Sequence, residues 1–214
     1  MQVDSNVVDY VLEQTREQQA VTPVEPRSTT VTAAMDACLA NLSSQGVVAP
    51  TSDPLPATMS LFLKDKDEHS SRVICDLRPL NSRYRCRPPR FTLPSISGLM
   101  NITKYWDTAF FTKLDITAYF HSLSLAPPDL ERLHPHWTAY PFVFKYEGLT
   151  WSWLRLPFWW SWAPAVAQRQ MITLVLEAVV GFSNVLALLY NDGVLFVSPY
   201  TDEQARPPST ALTC

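Results

Sequence analysis

The chain has 214 residues, of which 47% are hydrophobic and 17% are charged, and its net charge at pH 7 is −3. This composition allows a sizeable core in one large domain or two small ones. The slightly acidic balance excludes a protein that is basic over its whole surface, but it is compatible with a local basic cleft.

Cysteine usage and hydropathy indicate an intracellular protein, cytoplasmic or nuclear, with no membrane segment. The four cysteines, Cys38, Cys75, Cys86 and Cys214, show no CxxC pair and no metal-binding spacing, which indicates reduced thiols. The N terminus is polar and has no signal peptide pattern. The longest uncharged stretches, such as Ala178–Tyr190, are shorter than the roughly 18–20 residues that a membrane span needs.

The first half of the chain is predicted as short helices and one hairpin, separated by loops rich in proline and charge. In chain order the predicted elements are a helix from Asp4 or Ser5 to Gln19, a linker (Thr22–Thr30), a helix (Thr32–Ser44) ended by Gly46, an extended loop (Val47–Met59), a hairpin (Ser60–Leu63 and Arg72–Leu77) around a charged tip (Lys64–Ser71), a basic loop (Asn81–Arg90) and a short helix (Ser97–Thr103).

The second half reads as strands around one long helix. The predicted elements are a strand (Phe110–Leu114) ending at Asp115, a strand pair (Thr138–Tyr146 and Leu149–Leu154) across the Glu147-Gly148 turn, a helix (Ala163–Val180), a hairpin (Leu186–Tyr190 and Val194–Val197) across Asn191–Gly193, and a polar tail after Pro199.

Two carboxylates stand out because one lies at the end of an apolar strand and the other lies in the turn after an apolar strand, and both strands are predicted to be buried. Asp115 follows one strand, and Asp192 lies in the hairpin turn. Carboxylates held on rigid strands are typical of divalent cation sites. Two other interpretations stay open. Asp115 is also explained as a strand-end cap, and Asn191-Asp192-Gly193 is favourable chemistry for a tight turn with positive φ.

A run of arginines follows the first predicted hairpin. Five arginines and no carboxylates lie between Arg78 and Arg90, with Tyr84 and Phe91 interleaved or adjacent. Phosphate neutralisation and flat aromatic faces are what a nucleic-acid template track requires. The alternative interpretation is an exposed loop that charge keeps soluble.

Seven segments, in this order, resemble those of the reverse transcriptase domain of LTR-type and related retroelements. They are Gln45–Pro54, Lys64–Asp67 with Arg72–Asn81, Arg90–Ile96, Phe111–His121, Thr138–Tyr140, Leu156–Pro164 and Tyr190–Ser198. The resemblance covers roughly residues 35–198 and rests on the order of the segments, since each one alone is a weak signal.

The resemblance implies an α+β right-hand polymerase fold with fingers and palm only, in which helices pack on one face of an antiparallel palm sheet and the thumb is absent. The implied organisation is an N-terminal helical and linker segment (1–34), a fingers-like region (35–105), a palm (106–198) and an irregular tail (199–214). The implied function is RNA-directed DNA polymerase activity: two-metal nucleotidyl transfer from dNTPs onto a primer 3′-hydroxyl on an RNA or DNA template.

The same resemblance assigns roles to individual residues. Asp115, Asp192 and the main-chain carbonyl of Ile116 would hold two Mg²⁺ ions, or Mn²⁺ in their place. The nucleotide-binding residues would be Lys64, Lys66, Arg72, Tyr119, Phe120 and Phe158. The template-binding residues would be Arg78, Arg83, Arg85, Arg87 and Arg90. Phe120 would pack under the sugar, although a core phenylalanine is the alternative. Lys64 and Lys66 are also explained as a solvated hairpin tip, beside acidic neighbours.

The chain departs from the family pattern at two positions. Gly193 stands where relatives have a second aspartate, so we expect weaker and less ordered magnesium binding. Trp159 stands where relatives have glycine, and its indole would fill the cleft, displace the loop or join an aromatic cluster. These departures predict impaired polymerase activity, with a catalytically inactive nucleic-acid-binding relic as the alternative. His121, His134 and His136 show no zinc or nucleophile pattern and are interpreted as structural.

Overall fold

The computed structural model describes residues 6–7, 26–27, 29–52, 56–67, 70–83, 90–104, 109–125, 142–182 and 185–199. The elements within them are α1 (Ala33–Ser44), β1 (Val48–Thr51), β2 (Ser60–Asp67), β3 (Ser70–Asp76), α2 (Arg78–Arg83), α3 (Ile96–Thr103), β4 (Phe110–Asp115), α4 (Tyr119–Ser122), β5 (Val143–Tyr146), β6 (Leu149–Trp153), α5 (Ala163–Ala178), β7 (Leu186–Tyr190) and β8 (Gly193–Ser198). The described chain is a mixed α and β protein with small antiparallel sheets.

The chain divides into two compact units, and neither is continuous in sequence. The first combines the residues up to Arg90 with Ala118–Val166, and the second combines Phe91–Thr117 with the residues from Ala167 onward. This division does not coincide with boundaries at residues 34, 105 and 198. The fingers-like and palm assignments therefore stay predictions.

Helix α1 forms where local signals predicted it. The Thr32 hydroxyl accepts a hydrogen bond from the Met35 amide at 3.1 Å and so caps the helix N-terminus. Gly46, with φ of +64°, ends the helix in the left-handed conformation that glycine adopts without strain. Met35 and Leu39 are buried. Of the helix predicted to end at Gln19, only Asn6 and Val7 are described, and both are helical.

The first unit contains a three-stranded sheet of order β1-β6-β5. Strands β5 and β6 form the predicted hairpin, with positive φ at Glu147 and Gly148. The predicted loop at Val47–Met59 is wrong in part, because β1 pairs with β6. Pro50 is tolerated there because β1 is the edge strand, where a missing amide donor breaks no central ladder.

The hairpin of β2 and β3 extends further than predicted. Lys64 pairs directly opposite Arg72, so residues predicted as the charged tip belong to the strands. A second correction follows this hairpin. The segment predicted as a basic loop from Asn81 begins as helix α2, which ends at Arg83. Residues 84–89 of that predicted loop lie outside the described part of the chain.

The core of the first unit contains several large aromatic side chains. Phe144 and Trp153 are fully buried, and Trp160 stacks on Trp162 with ring centroids 6.0 Å apart. Phe142 meets Trp160 edge to face at 5.3 Å. Aromatic side chains bury large areas and add specific ring contacts, so this cluster contributes to the apolar burial of the unit.

The second unit contains an antiparallel sheet of order β4-β8-β7. Val194 and Val197 of the central strand are buried. Every residue of β4 is exposed, including Phe111 and Leu114, so the expectation of a buried strand before Asp115 is wrong. The apolar composition of the strand could not indicate this exposure, because burial depends on which other segments of the chain pack against each face of the sheet.

Helix α5 contributes its first residues to the first unit and, from Ala167 onward, belongs to the second. It ends at Ala178, two residues before the predicted end at Val180. None of the helices in the part of the chain that the structure describes has the length and apolar character that a bilayer crossing requires.

Candidate functional site

The strand register brings Asp115 to the hairpin that carries Asp192. Asp115 pairs with Gly193, which in turn pairs with Tyr190 across the hairpin. Residues directly opposite each other in a sheet share a face. The amide of Ile116 donates a hydrogen bond to the Asp192 carbonyl at 2.8 Å, so the turn is also tied to the end of β4.

The turn between β7 and β8 consists of Asn191 and Asp192. Asn191 has a φ of +45°, the left-handed conformation that asparagine tolerates better than most residues. Gly193 lies in β8 and does not have a positive φ. The predicted turn is therefore confirmed, but its left-handed residue is Asn191, and the turn does not require glycine at position 193.

Both carboxylates line one pocket of about 390 Å³ within the second unit. Lys113 and Tyr190 add polar groups to its wall, and the Tyr190 hydroxyl donates a hydrogen bond to the Pro94 carbonyl. The remaining wall is largely apolar and comprises Pro94, Leu99, Leu188, Val194 and Leu195, with Ser95 and Gly193. Asp115 and Asp192 are exposed, and among the described residues neither forms an ion pair.

Gly193 leaves space for a side chain in this pocket. A Cβ atom added there would lie 3.6 Å from Asp115 Oδ1 and 3.7 Å from the Leu114 carbonyl oxygen, which are ordinary van der Waals contacts. The absence of a carboxylate at position 193 is therefore a difference in chemistry and not a consequence of backbone shape.

The donor set fits a weakly held magnesium ion. Among the described residues, no cluster of three or more His, Cys, Asp or Glu side chains is placed to hold a metal. Magnesium in proteins is usually bound by one or two carboxylates, with water and phosphate oxygens completing its shell. Asp115 and Asp192, which line the same pocket, meet that requirement. The resemblance described above implies the Ile116 carbonyl as a further donor.

Gln168 is a residue of this site that the sequence did not reveal. Its Nε2 donates to the Leu189 carbonyl at 3.2 Å, and its Oε1 accepts from the Asn191 amide at 2.7 Å. The side chain is only 4% exposed. The available signal was a glutamine within the apolar helix predicted from Ala163, because a buried carboxamide requires partners.

The predicted phosphate-binding residues lie in the first unit. Lys64 and Arg72 are direct partners on β2 and β3, and Lys66 lies further along β2. All three side chains are exposed. The structure thus brings these cations together on one hairpin, whereas Asp115 and Asp192 belong to the second unit.

The predicted nucleotide-binding aromatics also lie in the first unit. Tyr119 and Phe120 are buried in α4, and Phe120 meets Phe158 edge to face at 4.8 Å. Phe158 itself is 52% exposed. The structure therefore brings Phe120 and Phe158 into contact, with only Phe158 open to solvent.

Arg78, the first of the predicted template-binding residues, forms an ion pair with Asp76. Its guanidinium makes a bidentate contact with Asp76, at 2.6 Å to Oδ2 and 2.8 Å to Oδ1. The hydrogen bonds from Arg78 hold the pKa of Asp76 below its ordinary value. Arg83 ends α2, Arg90 is exposed, and Arg85 and Arg87 lie outside the described residues.

Trp159 stands apart from the buried tryptophans and is 52% exposed. Its ring meets Phe158 edge to face at 5.3 Å. Asn81 of α2 holds the loop that contains Trp159 and Ser161. Its carboxamide donates a hydrogen bond to the Trp159 carbonyl and accepts one from the Ser161 amide, each at 3.0 Å. The expected aromatic cluster therefore forms from Trp160 and Trp162, without the Trp159 ring.

His121 has a structural setting. It is partly buried and meets Trp153 edge to face at 5.5 Å. Burial lowers the pKa of its imidazole, since desolvation disfavours the charged form. His134 and His136 lie outside the described residues. Of the four cysteines, Cys38 and Cys75 are described, and both are free thiols.

In comparisons with known proteins, the chain is similar to parts of retrotransposon Pol polyproteins. No protein-family model matches it. It is 26% identical over 178 residues to the retrovirus-related Pol polyprotein from transposon gypsy of Drosophila melanogaster, covering 81% of this chain and 16% of that protein. It is 27% identical over 163 residues to the corresponding polyprotein from transposon opus of the same organism, covering 74% of this chain and 15% of that protein. The chain is thus a distant, retroelement-related relative of a small part of these Pol polyproteins.

Proposed function

We propose that the chain is a reverse transcriptase-like RNA-directed DNA polymerase domain of the fingers and palm type, with impaired activity. The observation that carries this proposal is the pocket in which strand pairing brings Asp115 and Asp192 together. The order of seven polymerase-like segments and the similarity to retrotransposon Pol polyproteins support it.

In this proposal the two aspartates hold divalent cations, with the Ile116 carbonyl as a further donor. Bound Mg²⁺ or Mn²⁺ would activate the primer hydroxyl and neutralise charge on the triphosphate. The chain's own contribution is to hold the backbone of the two aspartates on a paired strand end and a hydrogen-bonded turn. Nucleotide contacts from Lys64, Lys66 and Arg72 remain part of the proposal.

Two residues are proposed to lower the activity. Gly193 leaves the pocket with one carboxylate fewer than the family pattern, although the backbone has room for it. Trp159 places an exposed indole on the loop where the family pattern has glycine. The first change weakens cation binding, and the second alters the surface that would meet template and nucleotide.

A catalytically inactive nucleic-acid-binding relic is the second candidate. The specific observation in its favour is that position 193 could carry a side chain without a clash and yet has none. The run of arginines between Arg78 and Arg90 would supply phosphate contacts without catalysis.

Primer extension on RNA and DNA templates, with Mg²⁺ and then with Mn²⁺, separates these candidates. We expect little extension by the unchanged chain and a measurable gain in the double variant Gly193→Asp with Trp159→Gly. Asp115→Asn added to that double variant is the matched control and should abolish the gain. Extension that survives Asp115→Asn would refute the cation site. Turnover of about 1–10³ s⁻¹ by the unchanged chain, the usual range for enzymes, would refute the proposed impairment.

A further inference from the structure

The Gln168 carboxamide contacts the acid-bearing hairpin at two points. Its acceptor binds the Asn191 amide, and its donor binds the Leu189 carbonyl, on either side of Tyr190. Gln168 is 4% exposed, so its side of both hydrogen bonds is shielded from water. A buried carboxamide that lost such partners would pay its full desolvation cost, which makes this pairing strongly preferred.

The Asn191–Asp192 turn, to which Gln168 is hydrogen-bonded, has an unfavourable backbone conformation. Asn191 is in the left-handed region, which costs L-residues energy relative to ordinary backbone. The amide of this same residue is the one that donates to Gln168. The next residue, Asp192, is held from the other side by the bond between its carbonyl and the Ile116 amide. The turn is therefore fastened from helix α5 and from strand β4 together.

We infer that Gln168 is a positioning residue for the cation site: its carboxamide fixes the Asn191–Asp192 turn and thereby sets the direction in which the Asp192 carboxylate enters the pocket. This inference rests on the proposed function, in which Asp115 and Asp192 hold a divalent cation. Groups that orient a metal-binding residue typically change metal affinity by about 10–100-fold when they are removed.

The test uses the full chain and Mn²⁺ as the probe. Gln168→Met keeps the length of the side chain and removes both hydrogen bonds. Gln170→Met is the control, since Gln170 is also 4% exposed but lies two residues on, roughly 200° around the same helix. We expect the Mn²⁺ dissociation constant, measured by electron paramagnetic resonance, to rise at least about 10-fold in Gln168→Met and to change little in Gln170→Met.

Amide hydrogen exchange of Asn191, followed by NMR in metal-free buffer, reports on the turn without any cation. We expect faster exchange in Gln168→Met and retained protection in Gln168→Glu, which keeps the acceptor for the Asn191 amide and loses only the donor. If Gln168→Met does not fold, Gln168→Ala takes its place in both measurements.

The outcomes separate this inference from the proposed function. Mn²⁺ binding by the unchanged chain that does not depend on Asp115 and Asp192 overturns the cation site, and the positioning role with it. Intact Mn²⁺ affinity in a folded Gln168→Met chain, beside a site that does depend on the two aspartates, overturns the positioning role alone. An unchanged exchange rate of the Asn191 amide in Gln168→Met would show that Gln168 does not stabilise the turn.

Discussion

Replacing Gly193 with aspartate tests the geometry of the pocket directly. The Cβ of residue 193 would lie 3.6 Å from Asp115 Oδ1, so the two carboxylates would be close neighbours. Two like charges about 4 Å apart in water repel by about 1 kcal/mol. The value for water is appropriate because Asp115 is exposed. Without a cation we therefore expect Gly193→Asp to be less stable by about 1 kcal/mol than a neutral side chain of equal shape.

Gly193→Asn provides the neutral side chain of nearly equal shape. Because both variants replace the same strand glycine, the effect of losing that glycine cancels when the two are compared. Replacing a strand glycine by itself stabilises the chain by roughly 0.5–1 kcal/mol through backbone entropy. The free energy of unfolding is measured by urea titration at low and high ionic strength. At about 1 M salt the Debye length is near 3 Å, so the difference between the two variants should largely disappear.

Divalent cations should reverse the sign of the effect. The added carboxylate lies beside a cation ligand, so Mn²⁺ should stabilise Gly193→Asp more than Gly193→Asn. A tenfold difference in dissociation constant corresponds to about 1.4 kcal/mol at saturating cation. If the two variants unfold alike at low salt and respond alike to Mn²⁺, position 193 does not face Asp115 and the argument from the strand register fails.

Three further outcomes are expected. The pKa of His121 is lowered in the folded chain, so the unfolded chain binds the proton more readily. The free energy of unfolding should therefore fall as the pH drops below about 6.5, by at most about 1.4 kcal/mol per pH unit. His121→Leu should remove that pH dependence. Asn81→Ala should cost about 1–3 kcal/mol by releasing two backbone groups of the loop, and an unchanged unfolding free energy would contradict the fastening described above. Replacing Arg83, Arg85 and Arg87 with alanine should flatten the salt dependence of RNA binding from a slope of roughly −2 to −3; binding that is unaffected would remove the template role.

Local chemistry explains the parts of the fold that the sequence predicted well. Thr32 and Gly46 bound helix α1 through capping interactions that act within a few residues. The Glu147-Gly148 turn and the hairpin turn beside Asp192 also follow from short-range conformational preferences. Signals of this kind are readable from sequence because donor and acceptor lie close together along the chain.

The errors arise where a distant segment decides the outcome. Pro50 indicates a loop, yet an edge position opposite Trp151 accommodates it. The apolar residues of β4 indicate burial, yet every residue of that strand is exposed, because burial depends on what packs against the sheet.

The candidate site shows the same division. The acids were predicted from their positions at strand ends, because a strand that ends in a carboxylate is a local pattern. Gln168 was missed because its partners, Leu189 and Asn191, lie more than 20 residues further along the chain. The meaning of Gly193 also depended on the fold, since only the register shows that its missing side chain would meet Asp115.

The pairing of β4 with β8 has a consequence for co-translational folding. Asp115 and Gly193 are direct partners, but about 80 residues separate them, so at 5–20 residues per second β4 waits on the order of 4–16 s for its neighbour. Strand β7, the third member of the sheet, is made only just before β8. During that interval Phe111 and Leu114 emerge without their sheet, which is when nascent apolar strands engage chaperones or aggregate. The two aspartates consequently meet late, so translation speed and chaperone supply will govern the yield of correctly assembled sites.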